Sequence, residues 1–235
     1  MIKFNRNSAI FINNILNNYL PPFIRDSKFF MYPLFRLAFK HNAPLFMNFR
    51  KISYSLTDEE YVNYYKETEE SNLLKGSDLN DSCFEEILKM VKGNNVLEVG
   101  CGRAKLLIEL GKNYQAIGCD IFESKEVSEN NLNFVLAQSE SLPFENDAFD
   151  TVICTHVLEH VRDLKKSIEE LKRVCKQRLI IVVPCERPYK FGFNLHLSFF
   201  PYEFNLLGNF YSNTKQGKVI CKKLDGDWYY QEDFN

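Results

Sequence analysis

Seven residues, Val96-Leu97-Glu98-Val99-Gly100-Cys101-Gly102, constrain this 235-residue chain more than any other stretch. An apolar run of strand length ends in two glycines, and helix-forming residues follow at 105–112. A strand that turns directly into a helix is the opening unit of a parallel sheet covered by helices. The same alternation continues downstream. A helix is expected over 81–91, strands over Asn95–Val99, 114–119, 132–136, Phe149–Thr155 and 178–183, and an amphipathic helix over 163–175. The tail adds a short helix at 202–207 and two strands, Lys218–Leu224 and 228–231, joined by the hairpin signal Asp225-Gly226-Asp227. The fold class is therefore α/β: a Rossmann-like, seven-stranded, mostly parallel sheet with helices on both faces.

The turn also suggests its chemistry. Glycines at 100 and 102 let backbone approach a ligand where a Cβ would collide, and the helix behind them offers free N–H groups. Asp120, ending the next strand 20 residues after Gly100, is placed to accept the hydroxyl protons of an adenosine ribose, with Ile121 against the adenine face. Dinucleotides and S-adenosylmethionine both use such a turn. Two details favour the second: Lys105 stands where a dinucleotide fingerprint has its third glycine, and Glu98 would repel a pyrophosphate but suits a cationic amino-acid portion.

These residues resemble the class I methyltransferases, whose first motif reads E-x-G-x-G-x-G. The resemblance covers about 81–185 and includes two further blocks, Ala137-Gln-Ser-Glu-Ser-Leu-Pro-Phe144 and Thr155-His-Val-Leu-Glu-His-Val161. It implies that Glu98, Gly100, Cys101 and Gly102 surround the methionine end of S-adenosylmethionine. It also puts Gln138, Ser139 and Glu140 by the adenine and Thr155 by the sulfonium. Ala104 departs from the motif's third glycine, a small loss if that residue is already helical. Gln138 stands where many relatives carry Asp.

Methyl transfer from a sulfonium needs alignment and, for an alcohol, removal of a proton. His196 and His156 are the first candidates for that base and His160 the next. His156-Val-Leu-Glu-His160 also matches H-x-x-E-H, a zinc pattern that needs its own helix and a further ligand. No metal is expected. The block is similar to ubiquinone-biosynthesis O-methyltransferases, in which an E-x-x-E-H arrangement holds a divalent metal. Here His156 replaces the first Glu.

Residues 1–80 read as a separate helical segment broken at Pro21-Pro22, Pro33 and Pro44, with residues 81–235 as the cofactor-binding domain. Residues 1–56 hold eight Lys/Arg against Asp26 alone, a net +7, while the remainder of the chain carries −9. Basic charge among aromatics suits an anionic substrate or a membrane surface; a helical layer packing its Phe residues on the main domain is the preferred reading. Seven scattered cysteines with no C-x-x-C pair fit reduced thiols and a cytoplasmic protein. Asn13, Asn14, Asn17 and Asn18 interrupt the first apolar run, and no stretch reaches spanning length, so secretion and stable membrane insertion are not expected.

Arg187, Lys190 and Arg25 are the candidate anion-binding groups for the acceptor. The layout around Leu20-Pro-Pro and 194–201 is similar to bacterial methyltransferases found with surface-polysaccharide genes. That similarity implies O-methylation of a sugar or a phosphorylated, nucleotide-activated glycan precursor in capsule or polysaccharide biosynthesis. A quinone or lipid headgroup is the alternative acceptor, and a non-catalytic cofactor-binding partner subunit the alternative role. Nucleic acid is not expected as a partner, since the chain is slightly acidic overall; a homodimer is left open.

Overall fold

The computed structural model describes residues 19–69, 79–192, 194–211 and 215–234. Lys3, Arg6 and the Asn-interrupted run before Tyr19 lie outside the described residues. Two compact units are present: the first takes the described residues before 76 together with 186–197, and the second takes the rest. Residues 186–197, expected from sequence in the cofactor-binding domain, thus cluster with the N-terminal helices.

The first unit is built from α1 (Pro22–Arg25), α2 (Lys28–Phe39), α3 (Ala43–Ile52) and α4 (Asp58–Glu69), with 3-10 turns at Lys40–Asn42 and Ser53–Ser55. Met31, Phe35 and Phe39 on α2 recur at helical spacing and are buried with Phe46, Met47, Phe49, Tyr61, Phe191 and Leu195. The Phe39 and Phe46 rings stack with centroids 3.7 Å apart. Pro33 does not break its helix as the sequence suggested: it sits inside α2. An interior proline costs about 3 kcal/mol, and burial of Met31, Phe35 and Phe39, at about 1.5–3 kcal/mol each, outweighs it. Pro22 and Pro44 occupy first-turn positions, where the missing N–H has no intrahelical partner to lose. The capped start of α4 is a reciprocal box: Glu60 N–H donates to Thr57 Oγ1 (3.2 Å) and Thr57 N–H to Glu60 Oε2 (2.8 Å).

The second unit runs α5 (Asp81–Met90), β1 (Asn95–Val99), α6 (Lys105–Leu110), β2 (Gln115–Asp120), α7 (Lys125–Glu129), β3 (Phe134–Leu136), β4 (Phe149–Thr155), α8 (Leu164–Val174), β5 (Cys175–Pro184), α9 (Glu203–Phe210), β6 (Lys218–Leu224) and β7 (Asp227–Asp233). The sheet order is β3-β2-β1-β4-β5-β7-β6. The first five strands are parallel, and the β6–β7 hairpin adds antiparallel to β5. Its two-residue turn has positive φ at both Asp225 and Gly226, as a type I′ turn requires. Alternate strand residues fill two cores. Leu97, Val99, Val152 and Ile181 face Ile168 and Leu171 of α8, while Val96, Ile153 and Val182 face Leu106, Leu107 and Ile87. Helix α7, capped by Ser124, was not anticipated: five residues are too few to display a helical period.

Candidate functional site

Strand β1 delivers the glycine turn. Gly100 has φ +75°, and a Cβ there would overlap Val157. Gly102, at φ +47°, has nothing within 4 Å of where a Cβ would stand, so the turn is open above it. The cradle is closed from the next strand, because Asp120 accepts the Gly102 N–H through Oδ2 (2.8 Å) and the Ile121 N–H through Oδ1 (2.7 Å). Cys101 turns inward. It is buried at the Cβ position that Gly118 leaves vacant, and burial pushes its thiol far above the ordinary range, which leaves it no role as a nucleophile.

Glu98 is the chemically conspicuous residue. It sits mid-strand, paired in register with Gly118 and Ile153, and only 3% of it is exposed. One carboxylate oxygen has no hydrogen-bond partner among the described residues. Burial, reinforced by the neighbouring Asp120 carboxylate, raises its pKa well above the usual range. A buried carboxylate with an unmade contact is costly unless something cationic or hydrogen-bonding completes it.

The segment after β3 is tied to the same place, since Ala137 N–H donates to the Asp120 carbonyl (2.9 Å). Gln138 and Ser141 form an isolated antiparallel bridge, which shapes the Gln138–Glu140 corner. Ser139 Oγ lies 3.0 Å from Ser167 Oγ of α8 and 3.1 Å from Glu140, so this side chain fastens the loop to the helix. Ile121, Gln138 and Glu140 are half-buried, while Thr155 is buried at the carboxyl end of β4.

His156 follows β4 in a left-handed conformation (φ 54°) and donates its N–H to the Val182 carbonyl. Its ring lies between two carboxylates: Nδ1 is 3.3 Å from Glu159 Oε1 and Nε2 is 3.3 Å from Asp227 Oδ2. Burial opposes the charge, but the two carboxylates outweigh it and raise the imidazole pKa to about 10. Asp227 also accepts from Asn80 Nδ2 (2.8 Å), whose Oδ1 caps α5. His156 is thus the centre of a link from the β4 turn to the β6–β7 hairpin. His160 closes the following turn, its N–H donating to the Val157 carbonyl (2.8 Å).

The first unit holds the other candidates. His196 is buried, with Nδ1 against the Glu186 carboxylate, and Glu186 also accepts from Tyr189 OH (3.2 Å). The guanidiniums of Arg25 and Arg50 lie over the Tyr189 ring at 4.0 and 4.2 Å. Arg50 also donates to the carbonyls of His196 (2.6 Å) and Tyr189 (2.7 Å). Arg25 is therefore part of a buried stack, whereas Arg187 and Lys190 are exposed. Glu186, Tyr189 and Arg50 received no role from the sequence. Their partners are up to 146 residues away, and no local pattern reports such pairings.

An open cavity of about 730 Å³ lies elsewhere, at the amino ends of β1, β2 and β4, lined by Asn95, Gln115 and Phe149. The glycine turn and Asp120 stand at the opposite, carboxyl ends, where open α/β sheets bind ligands.

Residues 97–183 match a family model described as a methyltransferase domain. A Bacillus subtilis methyltransferase, YcgJ, is 30% identical over 94 residues, 36% of this chain and 37% of that protein. Demethylmenaquinone methyltransferase of Staphylococcus epidermidis is 25% identical over 161 residues, 63% of this chain and 64% of that protein. The chain spans about a third to two thirds of the length of the curated relatives it matches. Among solved structures, Burkholderia thailandensis 1,6-didemethyltoxoflavin-N1-methyltransferase with bound 1,6-didemethyltoxoflavin and S-adenosylhomocysteine is similar. Its TM-score is 0.55 at 15% identity, over 77% of this chain and 91% of that one. At that identity the likeness is one of fold, and the fold is that of the Rossmann-like class I methyltransferases.

Proposed function

We propose that this chain is an S-adenosylmethionine-dependent methyltransferase, and that the open turn above Gly102, between buried Glu98 and Asp120, is where the cofactor sits. The observation that carries this reading is the unpartnered carboxylate oxygen of Glu98 beside that turn. An anionic pyrophosphate would add repulsion there; a cationic amino-acid portion completes the contact. Glu98 then holds the methionine portion across the open side of Gly102 and Asp120 the ribose hydroxyls, with Ile121, Gln138 and Glu140 along the adenine and Thr155 near the sulfonium; the N–H groups of Gly100, Cys101 and Gly102 are engaged inside the turn, on the Cys119 carbonyl and Asp120. Cys101 contributes backbone only, and Ser139 fixes the loop from below. When bound, the cofactor supplies an activated methyl group that an oriented nucleophile displaces in line.

Among the histidines, chemistry favours His196 as base. The Glu186 carboxylate on Nδ1 orients the imidazole, the arrangement in which histidine bases are held. His156, held charged between two carboxylates, is a positioning residue, and His160 shapes the same turn. For the acceptor we carry an oxygen of a sugar or phosphorylated glycan precursor, supported by the exposed cations Arg187 and Lys190. A quinone is the second reading, favoured by the demethylmenaquinone methyltransferase relative.

The test is calorimetric titration with S-adenosylhomocysteine, followed by turnover on glycan precursors and demethylated quinones. Asp120→Asn should weaken binding about 10–100-fold, through loss of charge-assisted contacts worth about 1.5–3 kcal/mol. Unchanged affinity, or preference for NAD, overturns the proposal. Tight binding without turnover on any acceptor selects the non-catalytic role.

A further inference from the structure

From the solvent face of α2 we infer a second surface, one that docks on an anionic phospholipid bilayer. The helix is two-sided. Met31, Phe35 and Phe39 are buried, while Phe29 (93% exposed), Tyr32 (42%) and Leu37 (58%) stand outward with Arg36, and exposed Lys40 follows directly at the helix C-cap. Phe23, on the preceding α1, is 77% exposed.

Exposed aromatics of this size are not needed for solubility and normally mark a contact. Here the charge identifies the partner. Between residues 19 and 57 the only acidic residue is Asp26, and it is engaged, accepting the Lys190 N–H (2.7 Å). Lys28, Arg36, Lys40 and Lys51 are all exposed and make no ion pair among the described residues. A second copy docked face to face through the same surface would set these cations against themselves. An anionic lipid surface neutralises them, while Phe, Tyr and Leu enter the headgroup boundary and the long basic side chains reach back to phosphate. No helix among the described residues is long and apolar enough to cross a membrane, so the contact is peripheral. Each basic residue near such a surface strengthens binding about fivefold, an effect that falls with salt. The inference is independent of the methyl-transfer reading, and none of the side chains it places on the bilayer belongs to that site.

The experiment is co-sedimentation of the full chain with vesicles of phosphatidylcholine alone and of phosphatidylcholine mixed with phosphatidylglycerol, at low and high salt. Binding to the mixed vesicles is expected, with at least a tenfold loss for Arg36→Glu/Lys40→Glu and for Phe29→Ser/Leu37→Ser, whose positions are exposed and leave the core intact. The control Lys125→Glu/Lys165→Glu, equal in charge change but at exposed lysines on helices of the other unit, should bind like the native protein. Four results overturn the inference: no vesicle binding; equal binding to both lipids; equal loss in the control; or retention on nucleic acid, or self-association, in place of vesicle binding.

Discussion

Glu98, buried, and His156, half-buried, are both titratable, and their environments raise the two pKa values with opposite effects on charge. Glu98 is held toward its neutral form by burial and by Asp120. A cationic ligand favours the ionised form, so binding should release a proton. Affinity for S-adenosylhomocysteine should then rise with pH until Glu98 is ionised in the free protein, and level off. Calorimetry in buffers of different ionisation enthalpy detects that proton, and Glu98→Gln should abolish it while weakening binding about tenfold or more. His156 works through stability. Its folded pKa, about 10, lies above the ordinary 6.5, so its contribution is complete below 6.5 and disappears as pH rises through about 10. In urea unfolding, His156→Asn should destabilise the protein by on the order of a few kcal/mol at pH 6, and the gap should narrow toward pH 10. A pH-independent gap would mean that shape, not charge, holds the β4 turn.

At the scale of elements, the junction of turn and helix is where local rule and structure part. The expectation that Ala104 is already helical is overturned: it caps α6 in the left-handed conformation, φ 59°, so the third position of the motif still requires a glycine-like backbone. That conformation costs a Cβ-bearing residue about 1–2 kcal/mol, part of which glycine's unfolded-state freedom cancels. Ala104→Gly should stabilise the second unit by about 0.5–1 kcal/mol, read from the midpoint of thermal or urea unfolding. Strands β1 and β4 fall where their apolar runs place them, because a strand buried in the sheet is largely apolar, whereas β6, an exposed edge strand with three lysines, was marked by the hairpin signal that follows it. Strand β5 begins three residues earlier than its apolar run, at Cys175, where pairing with Phe149 carries it past polar residues. The glycine turn and Asp120 were legible because backbone geometry leaves little choice there. The Glu186–His196–Tyr189–Arg50 cluster was not, since it is assembled from distant segments by tertiary packing alone.

For the molecule as a whole, half of the N-terminal aromatic content is accounted for by a core of its own, built from α2, α3 and α4 with Phe191 and Leu195. Phe191→Asp should therefore loosen the N-terminal helices, although it lies far from them in sequence. Limited proteolysis should show new cleavages first within 19–69; cleavage appearing first in the sheet would contradict this packing. The same arrangement bears on how the chain is made. Residues that finish the first core are separated from its helices by nearly all of the parallel sheet, so on the ribosome those helices emerge early and wait. At roughly 5–20 residues per second the wait is on the order of ten seconds, during which the core built on Met31, Phe35 and Phe49 lacks Phe191 and Leu195. A nascent chain whose first core is left incomplete invites chaperones, and slowing translation between 70 and 185 should lengthen that interval and lower the soluble yield.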